Sequence, residues 1–367
     1  MSLRLLTSID ELEPLAGDWE RLAGGVPMRG PDWLIGWARH YEADPFVLSV
    51  WRGDQLIGLA PWRTDASVRS GRVLCWLGDG EVCTDHLTLI CAESDAAEVV
   101  AQIADWLVDE SQEWDLLSLD HCDQTDTTLG LLFDALAHRQ CETTAQPDDA
   151  CWTIELPPDW EAYLALQSKS HRKQLRRAER RVLNSDACVW RLVETPDELH
   201  QAWPILVDLH QRRRNSLGEP GCFASPPFAA FQRELAERLL AKDQLRVSWL
   251  ELDGRPAAAE LHFACPNHIY AYQGGVDPDR LDDEPGRLST IATLHHAMQQ
   301  SRTSFDFLRG DEPYKAHWRA SPQPTLCRCA AAPRRAARLR AQANRAADSL
   351  HDLLKSGLQG VLSHPQT

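Results

Sequence analysis

The sequence predicts two mixed α/β domains in tandem, followed by a helical tail. Three observations lead there. Strand-like alternation and helix-like spacing interchange along nearly the whole chain, with no all-helical or all-strand block. Two segments, VWRGDQLIGLAPW and WLELDGRPAAAELHF, align as strand, Asp-containing Gly turn, strand, an internal echo of one plan. The chain of 367 residues is also too long for one ordinary core and suits two domains of roughly 150 residues.

The elements follow in order. Helices are expected over 11–23 and 31–41, the second opening after Gly30-Pro31 with Trp33, Leu34, Trp37 and Tyr41 at helical spacing. Strands at 46–52 and 56–63 flank Gly53-Asp54, with further strands near 73–77 and 86–91. A helix at 95–110, a strand at 114–120, a helix at 127–138 and a strand at 151–156 complete the first unit, residues 1–156. The second, 157–332, reads as helix over 159–183, strand 187–194, helices 196–214 and 226–242, and a hairpin of 246–252 with 256–265. Strand 268–275, helix 287–301, strand 304–308 and a last strand near 325–330 follow. Residues 333–367 form a helix to about Lys355 and a polar tail, the helix docking through Leu339, Leu350, Leu353 and Leu354.

Composition narrows the class. Hydrophobic residues make up 43% and charged residues 25%, as in soluble globular proteins. The net charge of −16 argues against DNA as a partner, while leaving room for a local basic patch that holds phosphate. The first residues, MSLRLLTSIDELEPL, lack the apolar core of a signal peptide, and no run reaches membrane-span length. A cytoplasmic location is expected. The 11 cysteines are scattered without a C-x-x-C pair, which points to neither a zinc ribbon nor a disulfide framework. Cys327 and Cys329 alternate along the last strand and so share a face, where no thiol or metal role is expected; no metal site is expected elsewhere either.

The densest chemistry lies in Ser304–Trp318, SFDFLRGDEPYKAHW, where an apolar strand breaks at Gly310 and is followed at once by polar groups. Read with 245–300, this segment resembles the C-terminal half of the BioF2-like, or CelD-like, branch of the GNAT acyltransferase superfamily, whose domain carries a strand of the form DF-x-R-G-D-x-x-Y-K-x-x-W. The resemblance covers roughly 160–330 well and the first half in outline. It implies two tandem GNAT-like domains, each a mostly antiparallel mixed sheet flanked by helices, the first degenerate. It also implies acetyl-CoA or another acyl-CoA as donor, and an amine or hydroxyl of a nucleotide- or lipid-linked sugar, or of an exopolysaccharide precursor, as acceptor.

Candidate residues follow from what acyl transfer needs: a seat for pyrophosphate, a base, and a proton for the leaving thiolate. The expected seat is Gly286, Arg287, Leu288, Ser289 and Thr290, where a Pro-Gly turn opens a helix whose free amides favour an anion. The seat departs from the GNAT pattern in having one glycine where two are usual. Glu260 and His262, two apart on a strand, and Asp311 beyond a strand end are candidate bases. Tyr314 is the candidate proton donor. Lys315, Asp306 and Tyr272 are candidate acceptor ligands, as are Lys169, Arg172 and Arg176 on a helix rich in basic residues. Each has a purely structural alternative: Asp306 as a partnered carboxylate, Tyr314 as core, the basic helix as a solvated face. Two other functions stay open, Fem-like transfer from aminoacyl-tRNA and a non-catalytic binding module of a polysaccharide-assembly system.

Overall fold

The structure, a computed structural model, describes residues 1–183 and 185–346. The first half opens with β1 (Ser2–Leu6) and the helices α1 (Ile9–Leu12), α2 (Ala16–Leu22) and α3 (Pro31–His40). The hairpin β2 (Pro45–Arg52) and β3 (Gln55–Ser67) leads to β4 (Gly71–Trp76), β5 (Ile90–Cys91), α4 (Ala96–Asp109), β6 (Leu116–Asp123), α5 (Thr127–His138) and β7 (Glu142–Glu155). The second half has α6 (Trp160–Ala165), α7 (Lys169–Leu183), β8 (Cys188–Leu192), α8 (Pro196–Ser216) and α9 (Pro226–Ala241). It continues with β9 (Leu245–Leu252), β10 (Arg255–Ala264), β11 (His268–Val276), α10 (Pro285–Gln299), β12 (Ser304–Arg309), α11 (Pro313–His317) and β13 (Ser321–Ala331). Both halves thus run strand, helices, hairpin, strand, helix, strand, and the mixed α/β repeat expected from the sequence is present.

All thirteen strands join one sheet, ordered β1-β2-β3-β4-β6-β13-β7-β12-β11-β10-β9-β8 with β5 beside β3. The halves exchange strands where they meet. β13, from the end of the chain, inserts between β6 and β7, and β7 in turn pairs with β12. Neither half therefore completes its own sheet. Two neighbouring pairs are parallel, β4 with β6 and β11 with β12, and each follows a connecting helix, as a parallel crossover requires.

Several elements differ from expectation. β1 was not foreseen, because five residues of half-buried alternation directly before a helix carry little signal of their own. Of the strand expected over 86–91 only Ile90–Cys91 forms; His86 takes a left-handed φ of 61° that interrupts the extended backbone at its start. The helix expected over 159–183 breaks at Leu166–Ser168: the Ser168 hydroxyl accepts the His171 amide at 3.3 Å and starts a new helix. The Arg172 guanidinium meanwhile takes the carbonyls of Ala165 and Gln167 that the first helix leaves open. Of the C-terminal helix, 335–346 are helical; Ala337 and Ala341 are buried while Leu339 is exposed, and Leu350, Leu353 and Leu354 lie outside the described residues.

Two cores pack against the sheet. The larger joins the halves, with Trp33 of α3 edge-on to Phe231 of α9, Phe263 of β10 and Tyr272 of β11 at 5.0–5.8 Å between ring centres. The smaller packs Tyr163, Leu175, Leu288, Ile291 and Leu294 of α6, α7 and α10 against Phe305 and Trp318.

A polar knot ties the halves beside these cores. Asp306 of β12 is buried, accepting the Thr153 hydroxyl at 2.9 Å and the Leu308 amide at 2.6 Å. The His86 ring lies between it and Asp123 of β6, Nε2 being 3.2 Å from Asp306 and Nδ1 3.0 Å from Asp123. Burial by itself would lower the His86 pKa, but the carboxylates of Asp123 and Asp306 override it and hold the imidazolium well above its ordinary range. Asp306 is thus a partnered structural carboxylate, not an acceptor ligand. Cys151, Tyr270, His268 and Arg29 are the other titratable groups around this ring. The stabilisation from a raised histidine is complete below its unfolded pKa of about 6.5 and is lost as pH rises through the folded value. Thermal stability should therefore decline as pH is raised above about 6.5. His86→Leu should flatten that part of the profile and cost about 3–5 kcal/mol, because it leaves the buried Asp306 and the half-buried Asp123 without their shared cation. An unaltered pH profile in the variant would remove the imidazolium from this account.

Candidate active site

The site begins where β11 and β12 part. Their ladder holds only from His268–Ser304 to Tyr270–Asp306, after which β12 bends away through Leu308, at a φ of 59°, and Gly310, at 111°. Lys315 fixes the bend. Its side chain is buried, and Nζ donates to the carbonyls of Leu308 at 3.2 Å, Arg309 at 2.7 Å and Gly310 at 2.9 Å, with Glu312 at 2.9 Å. Arg309 completes the anchor on Asp85, 2.6 Å away, and on the Thr84 carbonyl at 2.7 Å.

On the α10 side of the sheet, a cleft of about 600 Å³ is lined by Glu260, Gly286, Arg287, Thr290 and Tyr314, together with His171, Gln174, His317 and Trp318. Glu260 comes from β10, where its cross-strand partner on β11 is Gly274, which leaves room beside the carboxylate. Thr293 donates to Glu260 at 2.7 Å and Thr290 lies at 3.5 Å, so the carboxylate is oriented by the helix that bears the expected anion seat. In that helix Pro285 has no amide hydrogen and Leu288 already donates to Glu284, which leaves the amides of Gly286 and Arg287 at the mouth. A Cβ on Gly286 would come within 3.2 Å of Val276, so its backbone sits close against β11. Arg287 pairs with Glu284 at 3.1 Å and reaches Gln174 of α7 at 3.4 Å.

Two titrating groups in the cleft are shifted in useful directions. Partial burial, with the Glu312 and Glu260 carboxylates nearby, pushes the Tyr314 phenol up to about 12, so it keeps its proton at neutral pH. Burial, with the cations Arg287 and Arg319 and the neighbouring His317, lowers the His171 pKa, so its imidazole is neutral there and able to accept a proton.

The expected site residues divide accordingly. Glu260, Tyr314, Gly286, Arg287 and Thr290 converge on the cleft, whereas Leu288 and Ser289 of the expected anion seat point into the core. His262 stands behind Glu260, 3.8 Å from its carboxylate, buried edge-on against Phe305, and does not line the cleft; burial lowers its pKa. Asp311 is exposed and takes the Trp152 indole at 3.3 Å. Tyr272 donates to the Val82 carbonyl at 2.7 Å inside the larger core, a tie between halves rather than an acceptor contact. Lys315, expected to hold an anion, has its charge consumed by the bend. Arg172 serves the preceding helix, and Arg176 pairs with Glu161 at 2.6 Å on the flank of α7 turned toward α6. Lys169 is exposed on α7 and is not among the cleft residues. His171 and Gln174 were missed because the helix was read as one basic stripe. Their spacing from the buried Leu175 and Ala178 is the signal that separates the cleft flank from the basic one.

Comparison with known proteins agrees with this layout. Residues 169–316 match the family model Acetyltransf_6, an acetyltransferase (GNAT) domain. This span runs from the start of α7 into α11 and supports a GNAT-type acyltransferase. No curated protein matches the chain. Among solved structures, FemX superposes with a TM-score of 0.62 at 9% identity, over 90% of this chain and 97% of its own. The C-terminal domain (DUF2156) of a putative lysylphosphatidylglycerol synthetase from Agrobacterium fabrum gives 0.55 at 12%, over 91% and 96%. L-PGS from Bacillus licheniformis gives 0.54 at 12%, over 88% and 92%. At such identities the likeness is one of fold.

The bend supplies a test that needs no substrate. Lys315→Met should leave three carbonyls without that donor and lower the unfolding free energy by about 1–3 kcal/mol, seen as a lower denaturant midpoint with an unchanged slope. A variant of full stability would return Lys315 to the list of ligand-binding candidates.

Proposed function

We propose that the protein transfers an acyl group from acyl-CoA to an amine or hydroxyl of a sugar or other cell-envelope or exopolysaccharide precursor, as the BioF2-like and CelD-like resemblance implies. The observation that carries this reading is the meeting of a carboxylate, a protonated phenol, a neutral imidazole and a helix N-terminus in one cleft. The amides of Gly286 and Arg287, with the Arg287 guanidinium, hold the donor's pyrophosphate. Glu260 orients the acceptor, and His171 takes its proton as the nucleophile attacks the thioester carbonyl. When the carbon–sulfur bond breaks, Tyr314 gives its proton to the thiolate. Most of the rate comes from positioning, with no covalent enzyme intermediate.

A second reading is aminoacyl transfer of the Fem kind. It is favoured by the fold shared with FemX and by Lys173, Arg177 and Arg180, exposed on α7 with no ion-pair partner among the described residues. Thermal-shift measurements with acyl-CoAs, aminoacyl-tRNA and nucleotide sugars separate the two. Acyl-CoA at about 100 times its Kd should stabilise the protein by about 2.7 kcal/mol. Stabilisation by aminoacyl-tRNA alone, weakening steeply with salt, would replace the first reading with the second. Binding without turnover of any acceptor would leave the binding-module reading.

Kinetics test the roles. Tyr314→Phe should lower kcat on the order of 100-fold with little change in KM for the donor. Because His171 must be neutral, kcat/KM should rise with pH through a midpoint below about 6.5, and His171→Asn should abolish that limb. A limb that survives the substitution would assign the base to another residue, Glu260 first.

A further inference from the structure

Away from this cleft, β13 presents two thiols on one face. Cys327 and Cys329 are two residues apart, and their Sγ atoms lie 3.8 Å from each other. They open into a separate cavity of about 550 Å³, lined also by Ser118 and Gln146 of the sheet and by Asn344 and Arg345 of the C-terminal helix. It shares no residue with the acyl cleft.

The two sulfurs have different surroundings. Cys327 donates its S–H to Asp120 Oδ1 at 2.9 Å, and a carboxylate at that distance keeps a thiol protonated. Cys329 lies between Ser118 of β6 and Thr144 of β7 in the ladder, with Ser118 Oγ 3.5 Å from its sulfur. Contacts with Cys327 and Ser118 and the charge of Arg345 draw the Cys329 pKa down against its partial burial, while hydrogen bonding to Cys329, burial and Asp120 drive that of Cys327 up. The contacts thus favour the thiolate at Cys329, against its burial and the Asp120 charge, and the thiol at Cys327 beside that carboxylate.

We propose that Cys329 and Cys327 form a peroxide-reactive dithiol, Cys329 attacking and Cys327 resolving, with a hydroperoxide as the substrate class. The Cys329 thiolate attacks the outer peroxide oxygen, the O–O bond breaks, and the departing alkoxide or hydroxide takes a proton from solvent, leaving Cys329 as a sulfenic acid. Cys327 then yields its proton to Asp120 and attacks the Cys329 sulfur. The S–O bond breaks, hydroxide leaves and is protonated to water, and the two thiols end as a disulfide. Two residues along a strand separate Cα atoms by about 6.6–6.8 Å, at the outer limit for a disulfide of about 6.8 Å. Cys327 stays paired with Gln146 in the ladder to β7, but on its other side the register with β6 slips between Leu326 and Arg328, so the local distortion of β13 that closes the bond is opposed by one ladder and not by two. A disulfide at this limit is strained and readily reduced, which makes the modification reversible.

The wild-type full chain tests this directly. After reduction and exposure to a slight molar excess of hydrogen peroxide, the protein should lose two hydrogens. Trypsin cleaves after Arg328, between the two cysteines, so a non-reducing digest should contain the peptides ending at Arg328 and beginning at Cys329 still joined. Cys327→Ser should instead accumulate a sulfenic acid at Cys329, trapped by dimedone, and Asp120→Asn should close the disulfide at least several-fold more slowly. The proposal is overturned if the two peptides separate without reductant, or if peroxide oxidises other cysteines while 327 and 329 remain alkylatable. Equal closure rates with and without the Asp120 carboxylate would remove Asp120 from the sequence of steps.

Discussion

The contact on which most of this structure depends is the buried pairing of Asp306 with His86. It fixes a backbone conformation that nothing local favours. Leu308 is bulky and would not hold a positive φ by itself, yet Asp306 captures its amide two residues on, and His86 and Thr153 keep that carboxylate in place. The bend that follows exposes three carbonyls to the interior, and the Lys315 ammonium satisfies them. Only because β12 turns away here does a gap open beside β11, with Tyr314 at its edge facing the Glu260 side. The same ring carries the constraint across the molecule, since Asp123 belongs to the first half and Asp306 to the second.

This changes the meaning of the strongest signal in the sequence. The segment from Phe305 to Trp318 looks like chemistry because it is crowded with Asp, Arg, Lys and Tyr, but most of those groups are occupied with one another or with the first half. Asp306, Arg309 and Lys315 build the bend; Trp318 packs in the smaller core while its carbonyl accepts the Tyr163 hydroxyl at 2.7 Å. Of the polar residues in that run, Tyr314 and His317 line the cleft with Glu260. Asp306, Arg309 and Lys315 shape the cleft without lining it.

How much could be read in advance follows from where each signal is stored. The hairpins around Gly53 and Gly254, the helices α5 and α10 and the convergence of Glu260 with Gly286 depend on local turns and periodicity, which the chain displays residue by residue. The exchange of β7 and β13 does not, because pairing between residues nearly 200 positions apart leaves no local trace. Lys315 and Asp306 were misread for the same reason: whether a charged side chain faces water or three carbonyls is decided by a bend that its own sequence does not announce. His171 is the opposite case, a residue whose position relative to Leu175 and Ala178 was available in the helical spacing but was masked by the arginines around it.

The charges around the mouth of the cleft bear on the proposed anion seat. Asp282, Asp283 and Glu284 directly precede the anion seat, and left alone they would repel a pyrophosphate from the amides of Gly286 and Arg287. The structure offsets two of them, Arg181 meeting Asp283 at 3.4 Å and Arg287 meeting Glu284 at 3.1 Å. Arg280 also meets Asp283 at 3.0 Å, so that carboxylate is paired both from α7 and from the turn before α10. Departure of α7 would do more than remove His171 and Gln174 from the wall. It would also take Arg181 from Asp283, leaving Arg280 alone to offset that carboxylate beside the proposed anion seat.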